Sequence, residues 1–396
     1  MLQLRSSNLI VHKPISPESA SERIVVRVST DISRPEALRG TELFVGDISC
    51  LPDGYIAYGV FQKNTKNALS DKIVVELPES LRYLSTGDVV ALDLRTGALA
   101  VLYRRNSLHN SFLVTEQCNH YCLMCSQPPK SVDDSWLAEE ILSAIPLISP
   151  ETNQIGLTGG EPTILGTRFL DIVRRMKSYL PQTALHVLSN GRRFADTAFS
   201  RAYAEIDHPK SMVGIPVYSD IAEIHNYVVQ AESAFDETIR GIINLKRVGQ
   251  RVEVRVVIHK QTYERLPQLA EYIARNLTMV DHVALMGLEI MGFTRANLDK
   301  LWVDPTTYAS ELVSAVEILS QNRMNVSIYN HPLCLIPKEV WPFARQSISD
   351  WKNEYIEECE QCDEQERCGG FFASAKFKRS EHIKPFIYKQ PDSADL

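Results

Sequence analysis

The sequence predicts an α/β protein whose central domain is a parallel sheet covered by helices. Three observations support this fold class: apolar strands alternate with amphipathic helices at 109–300, short strands separated by turns precede them at 1–108, and a helix-and-loop region with clustered cysteines follows at 301–396. We therefore expect a small β domain, an α/β domain that holds the chemistry, and a cysteine-bearing extension.

The first 108 residues predict the small β domain. Candidate strands lie at 24–28, 55–61 and 89–94, and turn signals such as Asp53-Gly54 separate them. Short strands with this spacing are typical of a sandwich or a barrel. No catalytic constellation is visible there, so we expect a scaffold or a docking surface for the substrate or a partner protein.

The middle of the chain predicts βαβ units. The six candidate strands are residues 111–115, 154–158, 184–189, 212–217, 252–258 and 283–288. Between them, the segment 234–247 places Phe235, Ile239 and Ile242 on one helical face, and Gly249 follows as a stop signal. Strands that alternate with helices imply parallel βαβ units with right-handed crossovers, and such a sheet either stays open or curls towards a barrel. In both folds the site lies at the carboxyl ends of the strands.

Charge and hydropathy do not indicate a nucleic-acid or membrane partner. The 396 residues carry 42 Lys and Arg against 49 Asp and Glu, a formal net charge of −7, so no global positive field would attract an anionic polymer or bilayer. The first residues lack the apolar core of a signal peptide, and no run approaches the ~18 apolar residues of a membrane span. We expect a cytoplasmic protein, in which clustered cysteines are better explained as metal ligands or redox groups than as disulfides.

Seven of the eight cysteines fall in two groups, whereas Cys50 stands alone in the β domain and is most simply a small buried residue. The first group, Cys118, Cys122 and Cys125, forms a C-x3-C-x2-C loop directly after the first α/β strand. Three thiolates this close can converge on one metal centre. One interpretation is a [4Fe–4S] cluster with one iron left open for a small chelating ligand, and the other is a zinc site with His120 or a distant group as fourth ligand.

The end of the next strand favours the cluster. It runs into Gly159-Gly160-Glu161-Pro162, where two glycines allow backbone to approach a ligand closely and Pro162 makes the turn rigid. Taken alone, a tight βα turn explains this segment equally well. Its position one βα unit after the cysteine loop is the specific observation.

This pair of motifs resembles the signature of the radical S-adenosylmethionine (SAM) superfamily, over roughly residues 111–292. The resemblance implies a partial (β/α)6 barrel in which Cys118, Cys122 and Cys125 are the catalytic cluster ligands and SAM chelates the open iron. It further implies that SAM is cleaved reductively to a 5′-deoxyadenosyl radical, which removes a hydrogen atom from a substrate.

The same resemblance implies residues that bind SAM. Gly159, Gly160, Glu161 and Pro162 would hold its amino group, Ser189 and Asn190 would contact its ribose or carboxylate, and Arg255 would help to form the adenine pocket. The family usually places an aromatic residue just before the third cysteine, where this chain has Met124. The flexible, polarizable Met124 side chain would cover the adenine or shield the cluster.

The second cysteine group predicts a second metal centre. Its members are Cys334, Cys359, Cys362 and Cys368, and their spacing resembles the auxiliary-cluster extensions (SPASM or twitch type) of radical SAM enzymes. Four thiolates would close a [4Fe–4S] cluster, which suits electron relay or structural support. A structural four-cysteine zinc site is the alternative.

Longer stretches resemble one subfamily, the HxsC-type maturases of the His-Xaa-Ser systems. These are residues 114–129, 285–289 and 347–353, the last leading to 368–372. The resemblance implies a peptide or small-protein substrate with His-Xaa-Ser repeats, a sister radical SAM maturase and an external electron donor. Three alternatives stay open: a small-molecule substrate in cofactor or nucleoside biosynthesis, an iron–sulfur electron carrier, and a zinc-stabilised binding protein without catalysis.

Overall fold

The computed structural model describes residues 4–12, 23–47, 51–61, 72–346 and 354–388, so Cys50 and the subfamily stretch 347–353 lie outside the described residues. The amino-terminal part is one mixed sheet of eight strands in the order β1-β8-β7-β3-β4-β5-β6-β2. Its strands are β1 (Arg5–Ser6), β2 (Val11–His12), β3 (Arg23–Ser29), β4 (Glu42–Val45), β5 (Ala57–Val60), β6 (Val74–Glu76), β7 (Val89–Asp93) and β8 (Ala98–Tyr103). The predicted strands 24–28, 55–61 and 89–94 fall on β3, β5 and β7.

The second sheet has seven parallel strands that follow one another in chain order. They are β9 (Asn110–Leu113), β10 (Gln154–Thr158), β11 (Ala184–Leu188), β12 (Ser211–Pro216), β13 (Arg251–Val257), β14 (His282–Met286) and β15 (Val326–Tyr329). The first six match the six predicted strands. The sequence did not predict β15, which lies beyond residue 300 and continues the sheet into the segment assigned to the extension.

Helices connect these strands. They are α1 (Trp136–Ala144), α2 (Thr167–Tyr179), α3 (Thr197–Ala204), α4 (Ala222–Val229), α5 (Ala234–Arg247), α6 (Leu266–Asn276), α7 (Phe293–Ala296), α8 (Leu298–Leu301) and α9 (Ala309–Gln321). The predicted helix 234–247 is α5, and it buries Phe235 and Ile242 as expected. No helix within the described ranges has the length and apolarity needed to cross a bilayer.

The strand order explains why the sheet curls instead of staying open. Right-handed crossovers between strands that follow one another in chain order put every helix on the same side, whereas a doubly wound sheet needs a reversal of strand order. Alternate strand residues such as Ile155, Val213 and Val254 therefore join the helices in one core. The opposite faces, with His186 and Glu253, line the interior. The predicted α/β fold with a partial barrel is confirmed.

Candidate metal and cofactor site

The first cysteine group lies where the sequence predicted it, on the loop after β9. Cys118, Cys122 and Cys125 are free thiols and partly exposed. Backbone hydrogen bonds hold this loop from two sides: Leu123 N–H donates to Val228 O at the end of α4 (2.9 Å), and Phe293 N–H at the start of α7 donates to Cys125 O (2.8 Å). The thiols are therefore fixed by helices that lie far apart in the sequence.

Electrostatics make the three thiols suited to a cationic centre. Burial raises the pKa of Cys118 to about 11, and it also raises the pKa values of Cys122 and Cys125. The neighbouring thiolates raise the pKa of Cys122 further. Because thiolates bind metal, occupation of this site would release protons and relieve the repulsion. His120 N–H lies 3.3 Å from Cys118 Sγ and offers that sulfur a hydrogen bond.

The glycine turn packs directly against the cysteine loop. Gly160 N–H donates to Thr115 O (2.8 Å) and Glu161 N–H donates to Gln117 O (2.8 Å). A Cβ atom on Gly159 would lie 2.5 Å from Thr115 O, and one on Gly160 would lie 2.2 Å from Gln117 O. The two glycines predicted close approach of a ligand, but contact with protein backbone already requires both of them.

Glu161 joins the turn to the end of β11. Its buried carboxylate accepts hydrogen bonds from Thr163, from Ser189 Oγ (2.8 Å) and from the Asn190 N–H (2.5 Å). Burial raises the pKa of Glu161, and these hydrogen bonds oppose the shift. The Asn190 side chain in turn donates to Asn119 Oδ1 in the cysteine loop (2.6 Å). The predicted SAM-binding residues of the glycine turn and of the β11 end thus form one bonded unit beside the thiols, and their contacts with SAM stay predictions.

Met124, within the cysteine loop, belongs to the same apolar cluster as Tyr218. Met124 is buried in an apolar cluster that includes Tyr218 and Val228. Burial, with the thiols as a further cause, raises the pKa of Tyr218 well above its ordinary value, so the phenol stays protonated. Its ring lies 5.7 Å from the His225 ring and 6.1 Å from the His259 ring. The sequence predicts no binding role for Tyr218, His225 or His259, because only the fold brings the ends of β12 and β13 together.

The interior of the barrel carries a charged cluster that sequence reasoning missed. Glu253 on β13 accepts hydrogen bonds from Arg255 Nη1 (2.7 Å) and His282 Nδ1 (2.8 Å), and His186 Nε2 lies 3.5 Å away. Burial acts to raise the pKa of Glu253, but these cationic and hydrogen-bonding neighbours hold it well below its usual range. Arg255, the predicted adenine-pocket residue, is therefore oriented by Glu253. The alternation of Glu253 and Arg255 along one strand was the available signal.

The four cysteines of the second group surround one cavity. Cys334, Cys359, Cys362 and Cys368 line it together with apolar residues such as Phe371. Backbone N–H groups point at two of the sulfurs: Leu333 and Gly370 at Cys368 (both 3.4 Å), and Phe386 at Cys362 (3.3 Å).

Burial raises the pKa of Cys334 to about 11 and also raises that of Cys368. Within the part of the chain that the structure describes, no three His, Cys, Asp or Glu side chains stand close enough to hold a single metal ion. This applies to both cysteine groups, although the four thiols of the second group line one cavity.

This fold and these thiols define an α/β protein with a three-cysteine centre at the carboxyl edge of a parallel barrel. Residues 112–273 match the family model of the radical SAM superfamily. No curated protein matched the sequence.

Several solved structures are similar to this chain at low identity. SuiB of Streptococcus suis is 15% identical over 58% of this chain and 51% of its own, with a TM-score of 0.45. anSMEcpe with bound AdoMet is 14% identical over 69% of this chain and 92% of its own, with a TM-score of 0.48. HemN, the coproporphyrinogen III oxidase of Escherichia coli, is 15% identical over 55% and 52%, with a TM-score of 0.42. The chain therefore spans about half the length of SuiB.

Proposed function

We propose that this chain is a radical SAM maturase that cleaves SAM reductively and modifies a peptide or small protein with His-Xaa-Ser repeats. The observation that supports the chemistry is the placement of Cys118, Cys122 and Cys125 on one clamped loop at the mouth of a radical SAM domain. The stretches that resemble the HxsC-type maturases, at 114–129, 285–289 and 347–353, support the choice of substrate. A sister maturase and an external electron donor belong to the same proposal.

The residues around the thiols fit such a centre. Cys118, Cys122 and Cys125 would hold a [4Fe–4S] cluster, and the adjoining unit of Glu161, Ser189 and Asn190 would flank SAM. When bound, cluster and SAM supply one-electron cleavage of the sulfonium and removal of hydrogen from the substrate. The chain itself contributes binding, orientation and exclusion of water.

Several side chains prepare this site without reacting. Glu161 holds the turn against the end of β11 through its hydrogen bond from Ser189. Tyr218 stays a neutral phenol against the thiols, because burial and negative charge both oppose its ionisation. Glu253 holds the Arg255 guanidinium in the barrel interior, where a cation favours binding of an anionic group.

The second group would hold an auxiliary [4Fe–4S] cluster through Cys334, Cys359, Cys362 and Cys368. Two features support this assignment: the thiols surround a cavity, and backbone N–H groups offer hydrogen bonds to sulfur, which is a known way to tune such clusters. With every iron ligated, this centre would relay electrons or support the fold.

The decisive test of the chemistry is release of 5′-deoxyadenosine. Anaerobically reconstituted protein, given SAM and dithionite, should release it, as measured by chromatography. Cys122→Ala removes one cluster ligand and should reduce the product at least about a hundredfold, because loss of even an outer-shell partner of a metal ligand costs about ten- to a hundredfold. A colourless wild-type protein that contains zinc and no iron, or one that never yields this product, would contradict the proposal.

The second centre is tested with Cys362→Ala. We expect this variant to lose about half of its iron, to keep measurable SAM cleavage and to stop modifying a His-Xaa-Ser peptide, as followed by mass spectrometry. The reason is that the two cysteine groups lie on separate elements and have no thiol in common. Retention of all iron, or the presence of zinc in this cavity, would contradict an auxiliary cluster. A wild type that cleaves SAM but changes no such peptide would favour a small-molecule substrate.

A further inference from the structure

The two edges of the barrel sheet differ. At the β15 edge, Arg345 N–H donates to Ile328 O (2.8 Å), and Ile328 forms a bridge with Ala344. A chain segment thus covers that edge. At the other edge, β9 pairs with β10 alone among the residues that the structure describes. Within those residues, the barrel sheet is therefore covered by its own chain at one edge and uncovered at the other.

The register of β9 shows which of its backbone N–H and C=O groups face away from β10. Val114 N–H donates to Thr158 O (2.8 Å), and Leu113 lies opposite Thr158. Backbone groups in a strand point alternately to its two sides, so Phe112 and Val114 face β10 while Ser111 and Leu113 face away. Within the described ranges, the N–H and C=O groups of Ser111 and Leu113 have no hydrogen-bond partner. An open strand edge of this kind is a template for another chain.

A groove runs along this free edge. One wall is β9 itself, at 111–113, and the other consists of 4–7 with β8 of the amino-terminal sheet. Helix α1 contributes Trp136 and Leu137. Leu4 and Trp136 are 40% and 43% exposed, which is high for large apolar side chains. The groove thus combines backbone donors and acceptors with apolar side chains, and Arg5, Arg23 and Glu140 also line it.

The strand that forms one wall of the groove, β9, also leads into the cysteine loop. Cys118 follows Leu113 by five residues, and the Ser111 and Leu113 side chains face the barrel interior because Phe112 faces the helices. A chain laid along β9 would have alternate side chains directed into that interior.

We propose that an extended segment of the peptide substrate binds by adding to β9 as a further strand. Amide donors and acceptors repeated every two residues recognise the main chain of another polypeptide and little else, which selects this class of occupant. A segment of four residues paired along Asn110–Leu113 would extend about 13 Å.

This proposal rests on the proposed function for the identity of the peptide and sharpens it. The His and Ser of one His-Xaa-Ser unit are two residues apart, so in a strand they point to the same side. In one of the two possible registers, strand pairing would turn both towards the barrel interior and turn Xaa towards the groove wall.

The test compares two substitutions at one position. Ser111→Pro removes the outward N–H but no bond to β10, whereas Ser111→Ala keeps that N–H and removes the hydroxyl. A phage-displayed library of random twelve-residue peptides is selected on the anaerobic wild-type protein, and enriched peptides are synthesised. By fluorescence anisotropy, we expect Ser111→Pro to weaken their binding about tenfold, the scale of one lost hydrogen bond, and Ser111→Ala to change it less than about twofold.

A second arm changes the peptide. One peptide is N-methylated at its odd-numbered residues and another at its even-numbered residues. N-methylation should abolish binding of one of these peptides and spare binding of the other, because only every second N–H of an added strand faces β9. Equal binding by wild type and Ser111→Pro, when that variant matches the wild-type iron content and melting temperature, would overturn the proposal. Enrichment of no peptide on the wild type would do the same.

These outcomes are separate from those of the proposed function. Peptide selection needs neither SAM nor reductant, so a wild type that captures peptides but releases no 5′-deoxyadenosine contradicts the chemistry alone. A wild type that cleaves SAM but binds peptides without dependence on the Ser111 N–H contradicts strand pairing alone.

Discussion

At the scale of single residues, Gly160 connects the sequence motif to the metal site. Its backbone contacts the segment that leads into Cys118, with only 2.9 Å between the Cys118 Cβ and the position where a Gly160 Cβ would lie. The glycine motif therefore serves the shape of the cysteine loop as well as any ligand. This explains why the two motifs occur one βα unit apart.

Gly160→Ala should disturb this contact strongly. The added methyl would overlap Gln117 O, a backbone atom that cannot rotate away, so we expect a loss of about 1–3 kcal/mol in stability, as for overpacked sites. The measurement is the thermal unfolding midpoint of the reconstituted protein, together with its iron content.

Gly40→Ala is the matched control, since a Cβ there would have no heavy atom within 4 Å. We expect its midpoint to equal that of the wild type. Equal midpoints for Gly160→Ala and Gly40→Ala would show that the turn can move away from the cysteine loop.

At the scale of elements, the segments whose secondary structure could be predicted from the sequence were the longer and more apolar ones. Strands β10 to β14 are buried on the helix-facing side and read as short apolar runs, and α5 shows clear helical periodicity, so their positions followed from the sequence. Strand β15 was missed because Val326-Ser327-Ile328-Tyr329 is short and polar at alternate positions, within a region of helices and turns. Only its pairing with β14 makes it a strand.

Some residues of the site could likewise be predicted from the sequence, and others could not. Thiols that are close in sequence, such as Cys122 and Cys125, could be grouped from spacing alone. The Glu253 cluster could not, because its members come from three strands and meet only in the folded barrel. For the same reason, no sequence pattern shows that the β9 edge is open while the β15 edge is covered.

At the scale of the whole molecule, two thiol centres lie on different parts of one framework. The Cys118 loop is clamped by helices of the barrel, whereas Cys334 follows directly after β15, the last strand of the same sheet. His331 secures this junction: its Nδ1 lies 2.8 Å from Tyr329 O, and its Nε2 lies 2.8 Å from the Tyr308 hydroxyl. Because Nδ1 donates to the carbonyl, Nε2 accepts from the phenol, so this bonded form of His331 is neutral.

Buried neutral histidines should make the fold sensitive to mild acid. Burial lowers the pKa values of His225, His259 and His331 to about 4, below the ordinary 6.5. Between these values the unfolded chain binds protons that the folded chain does not. Stability is therefore complete above pH 6.5 and declines as the pH falls towards 4, by up to about 1.4 kcal/mol per pH unit for each histidine.

His331→Gln tests both the direction of this pH dependence of stability and its assignment to buried histidines. The amide oxygen of glutamine can still accept from Tyr308 but does not titrate in this range. We expect the midpoint of urea unfolding to fall between pH 7 and pH 5 for the wild type, and to fall less for the variant, by the share of one histidine. Identical declines would assign the acid sensitivity to other groups, whereas a midpoint that rises on acidification would contradict burial of neutral histidines as its cause.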